Sequence, residues 1–149
     1  MSQALFNLKG KRALVTGGTQ GIGYAIAKGL GVAGATLVIN ARDPEKLVQC
    51  IHALESEGIP AAPALFDVTD VDSVREGVSR IETELGPIDI LVNNAGIIRR
   101  APAEDFPEAD WEAVLRTNLT APFLLSKYVG QHMIRRKKGK IINICSLMS

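Results

Sequence analysis

The sequence predicts an α/β fold, a doubly wound parallel sheet covered by helices on both faces, with strand order 3-2-1-4-5. Two patterns predict it. Short, continuously apolar runs alternate with amphipathic tracts, as expected for parallel strands buried on both sides and joined by right-handed helical crossovers. Each glycine-rich or polar segment able to carry chemistry also follows the carboxyl end of a strand, where ligands lie in such sheets. With 46% apolar residues, residues 1–149 can bury one sizeable core and are read as a single domain.

In chain order, Arg12-Ala13-Leu14-Val15 is the first strand, and it enters Thr16-Gly17-Gly18-Thr19-Gln20-Gly21-Ile22-Gly23. A helix opens there, runs to about Ala33 and stops at Gly34. Thr36 to Ile39 is the second strand. Asp43-Pro44-Glu45 follows, an N-cap with proline at the first helical position and an acid in the first turn, before Leu47, Ile51 and Leu54 on one face. Ala64-Leu65-Phe66 is a short third strand. Thr69 with Asp72 three residues on reads as a capping box, and Val71, Val74, Val78, Ile81 and Leu85 keep a helical period up to Gly86-Pro87. Ile88 to Val92 is the fourth strand, Pro107 to Arg136 one long helical tract, and Ile141 to Cys145 the fifth strand.

Composition narrows the function classes. A net charge of +1 gives no case for nucleic acid, and the basic run Arg135 to Lys140 reads as a solvated helix end with cations near the negative dipole terminus. Two cysteines, Cys50 and Cys145, make no disulfide framework and suit a reducing, cytoplasmic setting. No apolar stretch approaches the roughly 20 residues that span a bilayer, and Met1 to Lys11 lacks the apolar centre of a signal peptide. The reading requires no metal.

The strand, glycine-spaced bend and helix at residues 12–30 form an anion site. Backbone N–H groups and the positive helix end point at the bend, and glycine admits a pyrophosphate close to the backbone. An acid at the end of the second strand would bind the ribose 2′-hydroxyl of NAD and repel a 2′-phosphate. Ala41 occupies that place with Arg42 beside it, which favours NADP(H), with NAD(H) as the alternative if Arg42 is only a solvated loop charge. Further on, Pro122 falls four residues after Asn118 within a helical tract. It cannot donate to the Asn118 carbonyl, so a kink is expected there.

Thr16-Gly17-x-x-x-Gly21-x-Gly23, Asn93-Asn94-Ala95-Gly96, Asn118 and Ser146 together resemble the short-chain dehydrogenase/reductase family, over essentially the whole chain. The resemblance implies a Rossmann-like fold and a nicotinamide-dependent enzyme that moves hydride between cofactor and an alcohol or carbonyl. It implies cofactor contacts from Gly17, Thr19, Gln20, Gly21, Ile22, Gly23, Arg42, Asp67, Val68, Asn94, Ala95 and Gly96. Gln20 stands where NADP-preferring relatives often carry a basic residue, and Asp67 has a second reading as a cap for the turn after it. Asn93 ties neighbouring strands together. Catalytic roles are implied for Asn118, which holds a water in a proton relay, and for Ser146, whose hydroxyl holds the reacting carbonyl.

Leu5-Phe6-Asn7-Leu8, Ile97 to Pro102 and Ile142 to Ser146 are similar to a branch of that family that interconverts gluconate and 5-ketogluconate. This gives Arg99 and Arg100 a purpose, since guanidiniums can grip the carboxylate of a small-molecule sugar acid. The family's tyrosine and lysine would fall beyond Ser149. The chain as given is therefore expected to be truncated, nearly inactive and open at the edge of its fifth strand, and the family's homo-oligomer is in question for it. Another short-chain reductase, such as a 3-oxoacyl reductase, and a non-catalytic dinucleotide-binding protein stay open as alternatives.

Overall fold

A computed structural model describes residues 6–146. Leu5 of the Leu5-Phe6-Asn7-Leu8 stretch and the chain end at Ser149 lie outside the described residues. The elements are β1 (Arg12–Thr16), α1 (Gly21–Val32), β2 (Thr36–Ala41), α2 (Pro44–Ser56), β3 (Ala61–Leu65) and α3 (Val71–Arg80), then β4 (Ile90–Asn93), α4 (Glu108–Leu115), α5 (Ala121–Arg136) and β5 (Lys140–Asn143). Single π-helical turns, Ile81–Leu85 and Arg116–Thr120, extend α3 and join α4 to α5.

All strands are parallel, in the order β3-β2-β1-β4-β5, so the doubly wound topology read from the sequence holds. β1 is central, with Ala13 opposite Leu37 on one side and Ile90 on the other. Successive strand residues alternate between faces. Leu14, Val38 and Leu91 pack with Val74, Val78, Leu125 and Val129 of α3 and α5, while Ala13, Val15, Leu37 and Ile39 pack with Ala27, Leu47 and Leu54 of α1 and α2. Burial on both faces is why these strands read as unbroken apolar runs.

Three sequence expectations are corrected. β3 starts at Ala61 and ends before Phe66, with Pro63 inside it; an edge strand tolerates proline because only one side needs its backbone donors. Asp70, not Thr69, caps α3, accepting from the Ser73 N–H at 2.7 Å. Thr69 is held away because its N–H and hydroxyl both donate to Asp67 Oδ1 at 2.8 Å. The fifth strand is Lys140–Asn143 rather than Ile141 to Cys145. It is the other edge, and Ile141, Ile142 and Ile144 near it are 39%, 43% and 39% exposed.

The long tract holds as read: it is helical without a break from Glu108 to Arg136, as α4, the π turn Arg116–Thr120 and α5 in succession. At the join the Ala121 N–H bonds the Arg116 carbonyl, five residues back, just before Pro122 in the first turn of α5. Pro122 brings no N–H for the Asn118 carbonyl, and the ladder is re-spaced there by a π turn. At its other end α5 finishes in the basic run, with Lys137 in the left-handed conformation as cap. Among the described residues no helix is long and apolar enough to cross a membrane.

Candidate functional site

The carboxyl ends of β1, β2 and β4 meet around Thr16. Thr16 is 1% exposed, and its hydroxyl donates to the Val92 carbonyl at 3.3 Å and accepts from the N–H groups of Asn94 and Ala95, each at 3.1 Å. One proton and two lone pairs are thereby used. The Asn94 amide answers by donating to the carbonyls of Thr16 at 3.0 Å and Gly17 at 3.1 Å. The loop after β4 is stitched to the turn after β1.

Glycine is required in this stitch. Gly17 has φ +61°, and a Cβ on it would stand 3.0 Å from the Ala95 Cα. Gly23 is buried, and a Cβ there would overlap the Gly17 carbonyl and the Asn94 amide. Gly21, at φ +56°, meets nothing within 4 Å, so its face of the turn is open. The N-terminus of α1 is also bare: Gln20 is extended, makes no side-chain cap, and no acid lies in the first turn. Among the described residues the first N–H groups of α1 thus have no side-chain acceptor, and no acid in the first turn opposes the dipole.

This bare end opens on a cleft of about 350 Å³ lined by Gly17, Thr19, Gln20, Arg42, Val68, Thr69, Ala95, Gly96 and Ile97, with Asn40, Lys46 and Thr117 among its other walls. Ile22 beside it is 67% exposed. Arg42 lies 3.9 Å from Asp67 Oδ2, and Lys46 3.9 Å from Asp43 Oδ2. A glycine cradle, an uncapped helix start and two cations at one end of a cleft fit a dinucleotide with a 2′-phosphate. Of the sequence candidates, Gly23, Asn94 and Asp67 brace the cleft from behind rather than line it.

Ile97 is shared between this cleft and a larger depression of about 890 Å³, lined also by Ile98, Arg99, Arg100, Phe106, Glu108, Trp111, Val114, Asn118 and Ser146. Asn118 fixes the shared wall: its amide donates to the Ile97 carbonyl and its Oδ1 accepts the Ile97 N–H, both at 2.9 Å. Asn93 ties β4 to α5 and β5 through Ser126 Oγ at 3.2 Å and Asn143 Oδ1 at 2.8 Å. Arg99 is engaged, its Nε 3.4 Å from Asp110 Oδ1 and its Nη1 donating to the Ile98 carbonyl at 3.1 Å. Among the described residues the Arg100 side chain makes no such pairing.

Sequence reasoning placed Thr16 in the motif without its bracing role, and missed Asn40, Phe106 and Trp111. Asn40 is buried at the end of β2 and donates to the carbonyls of Ala64 and Phe66 at 3.0 Å, holding the strand ends beneath the cleft. The available signal was a polar residue closing an otherwise apolar run. Cys50 reaches the turn from α2, its Sγ 3.7 Å from the Gly18 carbonyl, and burial pushes its thiol pKa up. Among the described residues no group of three His, Cys, Asp or Glu could hold a metal.

Comparison with known proteins places this geometry. Residues 11–149 match the model of the short chain dehydrogenase family. The chain is 52% identical over 145 residues to a gluconate 5-dehydrogenase of Gluconobacter oxydans (strain 621H), a match covering 97% of this chain and 57% of the relative. It is 49% identical over 145 residues to a 5-keto-D-gluconate 5-reductase of Escherichia coli (strain K12), with the same coverage, 97% and 57%. A crystal structure of a gluconate 5-dehydrogenase from Burkholderia cenocepacia J2315, in complex with NADP and tartrate, superposes with a TM-score of 0.94 at 47% identity, over 98% of this chain and 57% of that one. The chain therefore spans a little over half the length of these relatives.

Proposed function

The chain belongs to the short-chain dehydrogenase family, and from that premise we propose that it serves an NADP(H)-dependent oxidoreductase interconverting gluconate and 5-ketogluconate. One observation carries the reading: a bare-ended dinucleotide cleft opens, at Ile97, into a depression holding two guanidiniums and a hydroxyl. The nicotinamide, when bound, supplies or takes up the hydride. The protein's part is to hold and polarise. N–H groups at Gln20 to Gly23 take the pyrophosphate, and Arg42 with Lys46 takes the 2′-phosphate.

Ser146 donates to the reacting oxygen, and Asn118 keeps the wall between the two spaces in register, its main chain serving the proton relay. The arginine pair supplies the field for a carboxylate. Relatives named for gluconate and its keto form support this substrate. Free Cys50 and Cys145 suit a cytoplasmic setting. Leu115, Leu119 and Phe123 form an exposed apolar strip along α4 and α5 that suits a homo-oligomer.

Calorimetric titration of the folded chain with NADP+ and with NAD+ tests the reading. Saturable binding is expected, at least about ten-fold tighter for NADP+, which one charge-assisted phosphate contact accounts for. An absence of saturable binding by either nucleotide would remove the basis of the proposal. A second reading, a 3-oxoacyl reductase, draws on the apolar part of the depression, Ile98, Phe106, Trp111 and Val114, which would suit an acyl chain. In that case replacing Arg100 leaves turnover of an uncharged oxoacyl substrate intact in a chain that carries the remaining family residues.

A further inference from the structure

The two arginines of the substrate depression are adjacent in sequence but unequal in state. Arg99 has its Nε against Asp110 Oδ1 at 3.4 Å and its Nη1 on the Ile98 carbonyl at 3.1 Å, so two edges of the guanidinium are engaged by protein. Asp110 stands in the first turn of α4, one residue before Trp111, and so comes from the helix that walls the depression. Arg100 lines the same depression with its side chain unpaired among the described residues, and Glu108 adds a carboxylate to the wall. Half-exposed ion pairs contribute little stability, but each cancels the field of its cation at any third charge nearby.

We propose that Asp110 is a specificity-determining residue: by neutralising Arg99 it leaves Arg100 to take the substrate's carboxylate and fits the depression to sugar acids carrying one carboxylate, not two. This rests on the sugar-acid reading above and assigns the two guanidiniums different roles within it. A monoacid places its single charge on Arg100. A diacid brings a second charge into a depression where Arg99 is already compensated and where the Glu108 carboxylate repels it.

Trp111 is the sole tryptophan of the chain and lines the depression, so its fluorescence reports occupancy without requiring turnover. The experiment titrates the NADP+-saturated protein with gluconate, with glucarate as the corresponding diacid, and with sorbitol as the uncharged control. Arg100→Ala is expected to weaken gluconate about ten-fold or more, and Arg99→Ala only about two-fold, because a charge-assisted bond is lost in the first and a compensated charge in the second. Asp110→Asn, which keeps shape and removes charge, is expected to improve glucarate relative to gluconate by about three-fold, the scale of an exposed ion pair. The double variant Arg99→Ala with Asp110→Asn should return that ratio to its original value.

Equal losses from Arg99→Ala and Arg100→Ala, or an unchanged glucarate-to-gluconate ratio in Asp110→Asn, would overturn the division of roles while leaving the sugar-acid site standing. If no anion perturbs Trp111 in a protein shown to be folded and to bind NADP+, the sugar-acid reading itself fails and this inference falls with it.

Discussion

α1 and α2 begin at the same edge of the sheet, each just after a central strand, yet their first turns are opposite in kind. At α2, Asp43 accepts from the N–H groups of Glu45 and Lys46 at 3.0 and 3.1 Å, Pro44 removes one donor, and Glu45 faces the dipole. α3 is closed in the same way by Asp70, with Asp72 in its first turn. α1 has none of these: its cap residue is Gln20 with no side-chain bond, and its first turn holds two glycines and no acid. A capped start serves the stability of its own helix. A bare one forgoes roughly 1 kcal/mol of capping and keeps its donors for something outside the chain. The difference locates the anion site more firmly than the glycine spacing, which any tight turn can show.

Predictions follow from removing or transplanting that difference. The largest effect belongs to Gly23→Ala. The new Cβ overlaps backbone and an amide already held by two bonds, so neither can yield, and an overpacked site costs about 1–3 kcal/mol. A midpoint shift in urea together with loss of nucleotide binding by about a hundred-fold is expected; retention of both would mean that the stitch is slack. Next comes Gln20→Asp, which gives α1 the kind of cap that α2 has. Calorimetry should find NADP+ weakened about ten- to a hundred-fold while the thermal midpoint holds or rises, since a cap stabilises by about 0.5–2 kcal/mol. Unaltered nucleotide affinity in that variant would break the comparison.

Arg42→Ala sharpens it at the far end of the cleft. NADP+ affinity should drop about ten-fold with NAD+ changed less than about two-fold, because only the 2′-phosphate needs the cation. Asp70→Ala is the reciprocal control: denaturation should reveal about 1 kcal/mol of lost stability with nucleotide affinity kept, as Asp70 itself does not line the cleft.

The smallest effect concerns Cys50, which joins α2 to the glycine turn. Burial raises its thiol above the ordinary value of 9.0, so the folded protein holds that proton after the unfolded chain has released it. The associated stability is full below the unfolded value and fades as pH rises through the folded one. Alkylation at pH 8 followed by mass spectrometry should mark exposed Cys145 rapidly and Cys50 slowly. Equal labelling rates would show that the turn and α2 separate readily.

What the sequence determined by itself was whatever depends on neighbours along the chain. Apolar period, the helix stop at Gly34, the Asp43-Pro44-Glu45 cap and the strand-glycine-helix turn are local chemistry, and they sufficed for topology and for the place of the cleft. The frame of β3 and β5 was less legible, because edge strands have one neighbour and carry a weaker burial pattern. Between Thr69 and Asp70 as cap of α3, the choice depended on Asp67 drawing Thr69 away. Tertiary structure alone decided which polar groups meet. Thr16 and Val92 are 76 positions apart, and Asn93 and Asn143 are 50 apart. The bareness of α1 and the pairing of Arg99 with Asp110 likewise exist only once helices and loops are packed. A hydrogen bond or ion pair is a relation between distant residues with directional geometry, and composition and period carry no information about it until the sheet brings the strand ends together.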